Sequence, residues 1–411
     1  LWPPARQWTL GALLGLLLTT AGLCGCLGGA RWPEARTKAG FYGSESGISH
    51  GRNGRIKSAF EAWAATCMHT PFLRTGELRS IALSVCRRRR GRQLEYERVW
   101  LENPVDKERF AVDWAFPPGG HDREKPVVLV LTGMMPSQHW AEERGFVADA
   151  VRHVTSDLGS TAAVLVARGA MGTQVREHLY HGARVTDVRQ AVLLAEEAMR
   201  SVAREAAAGA LPLFAVGFSM GGIILGNYCG RFGADCRLRG GIHFSGIYDI
   251  GVQNKFSYSR NTWQTFLCYG MKSAVSRGRP FRVATERGVD MGFVLSRKVR
   301  SMADFDEAFV VPFNGYRSLG HYYDEMGVAG GENWKHVRVP LLAVAARDDP
   351  ITSCDALRAQ EFSHGNENLL FLITERGGHC AWPLGWVPWR QGFDFTNRAI
   401  SLFLQTVLVQ N

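Results

Sequence analysis

The sequence predicts an α/β fold, a mostly parallel, doubly wound sheet with an inserted helical cap. Three observations carry it. Short, nearly unbroken apolar runs recur from residue 127 onward, helical patterns separate them, and the stretch 247–340 breaks the rhythm between the fourth and fifth runs. Strands apolar on both faces belong in a parallel sheet covered by helices, and alternating strand and helix builds such a sheet through right-handed crossovers.

In chain order, Thr9–Ala30 comes first, an uncharged apolar stretch long enough to cross ~30 Å of hydrocarbon at 1.5 Å per residue. It is expected to be a single membrane helix, with a cleaved signal or transit peptide as the alternative. Residues 31–60 are rich in Gly, Ser and Arg without a period and read as a linker. Residues 60–96 read as a partly helical extension ending in the basic run Arg87–Arg90 and Arg92.

The main domain is expected over 97–411. ERVWLEN (97–103) and FAVDWAF (110–116) alternate apolar and polar around a turn and suit an antiparallel pair. The runs that follow are VVLVLTG (127–133), AAVLVARG (162–169), LFAVGFS (213–219), GGIHFSG (240–246), LLAVAARDD (341–349) and NLLFLIT (368–374). After Thr186, Val188, Val192, Ala195, Met199 and Val202 recur at helical spacing. An amphipathic segment over 393–407 closes the chain. The cap, 247–340, is expected over the C-terminal edge of the sheet, where such folds form ligand sites.

Composition sets the outer limits. The chain has 411 residues, 46% apolar and 21% charged, which excludes a mainly disordered protein and allows a sizeable core. Of the net charge of +10, residues 1–123 carry +7, as 18 Lys/Arg against 11 Asp/Glu. That asymmetry points to an anionic surface near the N-terminus, and the adjoining apolar stretch makes it a membrane rather than nucleic acid. The cysteines number nine, with no C-x-x-C pair, so neither a disulfide framework nor a thiolate zinc site is expected.

The chemistry centres on Gly217-Phe218-Ser219-Met220-Gly221, which follows an apolar run and precedes a helical one. This is the strand–elbow–helix context in which a serine is pushed out at the edge of a sheet. A second G-x-S-x-G, Gly47–Gly51, has no strand before it and is set aside. Serine needs a base and an orienting carboxylate to act as a nucleophile near pH 7. In chain order they are expected after late strands: Asp349 (with Asp348 as the alternative) at the end of LLAVAARDD, and His379 after NLLFLITERGG. The backbone N–H groups of Met220 and Met134 are the expected oxyanion donors. His178 and His181 are read as surface residues, and Trp382, Trp386 and Trp389 as packing in the core rather than against ligand. No phosphate-binding loop, dinucleotide fingerprint or metalloprotease signature occurs, so neither metal nor organic cofactor is expected.

With these residues in place, the chain resembles the YheT-like, abhydrolase-domain branch of the α/β-hydrolase superfamily. The blocks that carry it include TGELRSI (75–81), ARGAMG (167–172), VGFSMGG (216–222), FDEAF (305–309), GYRSLGHYYDEM (315–326), ARDDPI (346–351) and GGHCAW (377–382). The resemblance implies an α/β-hydrolase fold, a triad of Ser219, Asp349 and His379, and hydrolysis of lipid esters such as acylglycerols or phospholipids. It also implies an N-terminal membrane segment in the endoplasmic reticulum or another endomembrane, or alternatively a plastid targeting segment. Thr132 before Gly133, and the absence of an H-x-x-x-x-D box, set this chain apart from relatives with a transacylase role. The expectation is therefore a membrane-associated serine esterase acting on lipid or small esters. An acyltransferase using the same serine and a non-catalytic lipid binder are the alternatives.

Overall fold

The computed structural model describes residues 36–44, 50–86, 94–134, 145–202 and 212–409. The strands are β1 (Ala39–Tyr42), β2 (Glu97–Glu102), β3 (Arg109–Ala115), β4 (Val127–Leu131), β5 (Thr161–Val166), β6 (Leu213–Phe218), β7 (Gly240–Phe244), β8 (Leu341–Ala346) and β9 (Leu369–Thr374). They form one sheet in the order β1-β9-β8-β7-β6-β4-β5-β3-β2. From β5 to β9 the pairing is parallel, while β2, β3 and β1 are antiparallel edges. Every residue of β4, β5, β6, β7, β8 and β9 is buried, as expected for strands covered on both faces. The edge strand β2 is instead charged and largely exposed, which blunts edge-to-edge pairing.

The helices are α1 (His50–Ala64), α2 (Gly76–Cys86), α3 (Phe146–Arg152), α4 (Thr186–Val202), α5 (Met220–Phe232), α6 (Trp263–Val275), α7 (Gly278–Glu286), α8 (Leu319–Met326), α9 (Ala359–Gly365) and α10 (Asp394–Leu408), with shorter turns between them. One core lies between the sheet and a face holding α4, α5 and α9, and a second between the sheet and a face holding α1, α3 and α10. In α4 the predicted stripe is realised, with Val188, Val192, Ala195 and Met199 all buried. A third cluster, built on Phe305, Phe309 and Phe313, holds the helices between β7 and β8 together.

The segment read as a linker needs correction. Residues 39–42 pair with β9, Ile56 and Phe60, spaced by four on α1, are buried in the second core, and Ala64 is buried one turn further on. Trp63 lies 4.6 Å from Phe395 of α10, centroid to centroid. The opening HGRNGR carries no apolar residue and gives little helical signal of its own, so tertiary packing holds the start of this helix. Among the described residues no helix is long and apolar enough to cross a membrane. The stretch Thr9–Ala30 and the basic residues Arg87–Arg90 and Arg92 lie outside the described residues.

Candidate active site

Ser219 stands between β6 and α5 with φ 52° and ψ −118°, a left-handed conformation that costs a non-glycine residue about 1–3 kcal/mol. The flanking glycines permit the turn. A Cβ at Gly221 would lie 2.3 Å from the Leu131 carbonyl oxygen of β4, and one at Gly217 would lie 2.6 Å from that of Gly221. Both encounters are with backbone, which cannot swing away. The Ser219 N–H donates to Phe244 O of β7 at 2.8 Å, tying the elbow to the next strand.

Asp349 and His379 follow β8 and β9, and the structure brings both to Ser219. Ser219 Oγ donates to His379 Nε2 at 2.9 Å, and His379 Nδ1 donates to Asp349 Oδ2 at 2.8 Å and lies 3.1 Å from Oδ1. Asp349 also accepts the Ile351 and Thr352 amides at 2.8 and 3.0 Å and the Thr352 hydroxyl at 2.9 Å. The carboxylate side chain is 1% exposed and the imidazole 12%. Burial opposes the Asp349 charge, but the His379 imidazolium and these hydrogen bonds outweigh it and hold the carboxyl below its ordinary range. Burial likewise opposes the imidazolium, yet the adjacent carboxylate raises the His379 pKa well above 6.5.

Met134 and Met220 line one cavity with Ser219 and His379, and Gly133 packs beside the serine. The cavity measures about 270 Å³, and Ile223, Ile247, Ile250, Leu267, Met271 and Phe305 make much of its wall apolar. Asp306 also faces it. Burial pushes this carboxyl up to about 7, against a hydrogen bond that Tyr323 Oη donates at 3.2 Å. Among the described residues no group of three or more His, Cys, Asp and Glu is placed to hold a metal ion.

Several residues that surround the site have structural roles the sequence did not assign them. Asp348 is a structural partner of the histidine loop: its Oδ1 accepts the Gly377 and Gly378 amides at 2.7 and 2.9 Å, and its Oδ2 meets Arg79 of α2 at 2.6 Å. Ser80, next along α2, accepts the His379 N–H at 2.7 Å. Ser245, at φ 53°, accepts the Cys380 N–H at 3.0 Å. The doubled acid and the block TGELRSI were visible, but their convergence depends on the fold. Two expectations are corrected here. His181 is not on the surface: it is buried against Tyr316 and Tyr322 and lines the cavity, while His178 is half-buried. Of Trp382, Trp386 and Trp389, only Trp382 is in the core, stacked 5.2 Å from Phe395, whereas Trp386 and Trp389 are 53% and 40% exposed.

An elbow serine on this strand order, with an acid and a histidine supplied after the last two parallel strands, defines an α/β-hydrolase. No protein-family model matches the chain. It is 26% identical over 284 residues to phospholipase ABHD3 of Mus musculus, covering 69% of this chain and 64% of that protein. It is also 26% identical to protein abhd-3.2 of Caenorhabditis elegans (66% of this chain, 67% of that protein) and 25% identical to a monoacylglycerol lipase of Saccharomyces cerevisiae (71% and 63%). The chain thus matches less than two thirds of the mouse and yeast relatives' length. Its sequence is therefore similar to abhydrolase-domain proteins of the α/β-hydrolase superfamily.

Proposed function

We propose that this protein is a serine hydrolase that cleaves carboxylic esters of lipids through an acyl-enzyme. The observation that carries the reading is the chain of hydrogen bonds from Ser219 through His379 to Asp349 at the wall of an apolar cavity. Ser219 Oγ attacks the acyl carbonyl as His379 Nε2 takes its proton. Asp349 holds the Nδ1–H tautomer and stabilises the imidazolium. The Met220 and Met134 amides receive the developing oxyanion, worth a few kcal/mol per donor. The imidazolium then protonates the departing alcohol. His379 next activates a water that attacks the acyl carbon, the acid leaves, and Ser219 regains its proton.

The cavity wall suits an acyl chain, and relatives named phospholipase and monoacylglycerol lipase favour acylglycerol or phospholipid substrates. The apolar stretch Thr9–Ala30 supplies a membrane tether in this reading, in an endomembrane or through a plastid targeting segment. Neither metal nor organic cofactor takes part in these steps.

The test is turnover of an acylglycerol and phospholipid panel by the full chain, with Ser219→Ala and His379→Ala as controls. Fatty acid release that both substitutions abolish is the expected result. No release from any ester overturns the hydrolase reading in favour of a lipid binder. Ester formation exceeding hydrolysis in the presence of glycerol or ethanol turns it to acyl transfer.

A further inference from the structure

We propose that one face of the cap, within residues 255–300, is a docking surface for an anionic lipid bilayer. This inference rests on the lipid-ester reading for its purpose, and on charge and exposure for its location. The segment holds ten Lys/Arg against two Asp/Glu, a net charge of +8 in a chain whose total is +10. Arg277, Arg282, Arg297 and Lys298 are exposed and form no ion pair within 4 Å with a described residue, while the exposed Arg260 lies near enough to Asp304 to favour its charge. So many like charges left unneutralised on one small lobe raise a strong positive field, which a negatively charged surface relieves.

Apolar side chains stand among these charges. Phe266 and Tyr269 of α6 are 54% and 59% exposed, and Phe293 and Leu295 are 45% and 38% exposed. The pieces are held side by side: Lys272 Nζ, on α6, donates to the carbonyls of Ser296 and Val299 at 2.6 Å each. Aromatic rings among basic residues suit the boundary between headgroups and acyl chains. A polynucleotide also offers phosphates, but it has nothing apolar for Leu295 and Phe293 to enter.

The position of α6 ties this surface to the site. Gln264, Leu267 and Met271 line the cavity that reaches Ser219 and His379, while Phe266 and Tyr269 face out from the same helix. A bilayer touching the outer face is therefore one helix thickness from the cavity. Each basic residue near an anionic surface strengthens binding about fivefold, and salt weakens the effect.

The test is hydrogen–deuterium exchange of the full chain with phosphatidylcholine vesicles, with or without phosphatidylserine. It reads peptides within 255–300, so binding through other segments does not mask the answer. Expected is slowed exchange over 263–300 on phosphatidylserine vesicles, reversed by salt. It is lost in Arg277→Glu/Arg282→Glu/Arg297→Glu and weakened in Phe266→Ser/Tyr269→Ser. Both variants should keep turnover of a soluble short-chain ester, while hydrolysis of long-chain ester in those vesicles falls at least tenfold. Exchange unchanged by vesicles, or slowed equally with and without phosphatidylserine in all variants, overturns the proposal. Slowing by a duplex oligonucleotide but not by vesicles overturns it in favour of nucleic acid. Slowed exchange in a protein that turns over neither ester would leave the docking surface standing and count against the hydrolase reading alone.

Discussion

Arg79 and Asp348 form an ion pair at 2.6 Å, the guanidinium 1% exposed, between a helix that precedes the first β-hairpin and the residue just before the acid that holds His379. The contact is reinforced by backbone: a Cβ on Gly76, at the start of α2, would stand 1.6 Å from the Asp348 carbonyl oxygen. Through Asp348 the helix reaches the amides of Gly377 and Gly378, and through Ser80 that of His379. The two adjacent aspartates therefore divide the work. One holds the imidazole and the other holds the loop that carries it.

That division predicts different defects. Asp349→Asn should lower kcat by about 10⁴-fold with the fold intact, because the imidazole loses the partner that fixes its tautomer. Asp348→Asn should lower the melting temperature, since removing one member of a buried pair costs about 3–5 kcal/mol, and should lower kcat far less. Steady-state kinetics beside thermal melts check this. A fully stable Asp348→Asn variant with the larger loss of turnover would reverse the assignment.

The same hydrogen-bond chain sets a pH dependence. Only the neutral imidazole takes a proton from Ser219, so activity is lost as pH falls through the His379 pKa. With that pKa raised above 6.5 by Asp349, the acid limb of kcat/KM should lie above 6.5. In Asp349→Asn the residual activity should show a limb moved to lower pH, because the imidazolium loses the partner that most offsets its burial. The profile on a soluble ester measures it, and a limb that stays in place in the variant contradicts the coupling.

At the elbow, Gly221→Ala should destabilise the protein by ~3 kcal/mol and remove activity, as the new methyl meets the Leu131 carbonyl 2.3 Å away. Denaturant unfolding checks the first effect and ester turnover the second. A stable, active alanine variant would show that the strand–helix contact is looser than described.

Asp306 offers a test of cavity polarity through stability. Burial raises its pKa from 3.8 to about 7, so between those values the folded protein binds more protons than the unfolded chain. Stability from this group is therefore present at low pH and falls as pH rises through that window. Asp306→Asn should raise the melting temperature more at pH 8 than at pH 5. An equal change at both values would contradict a buried, protonated carboxyl.

Much of this was readable before the fold was known, for identifiable reasons. The parallel strands announced themselves because burial on both faces forces unbroken apolar runs such as VVLVLTG and NLLFLIT. Ser219, Asp349 and His379 could be picked because each closes such a run, where a parallel sheet turns its functional loops outward. The packing of α1 was hidden because the helix opens on HGRNGR, a polar, glycine-rich stretch that reads as linker. Arg79, Ser80 and Asp348 were missed as a group because they lie some 270 residues apart in sequence, a separation no local pattern records. Counting charge from the N-terminus likewise concealed the basic segment 255–300, which acidic stretches elsewhere offset.

The most direct measurement is the mass-mapped adduct of the full chain with an alkyl fluorophosphonate, a reagent that an activated serine attacks at phosphorus, forming a phosphonate ester as fluoride leaves. The account predicts one adduct on the peptide carrying Ser219, absent in Ser219→Ala and slowed by orders of magnitude in His379→Ala. An adduct on another residue, or labelling of Ser219 at the same rate without His379, would contradict it.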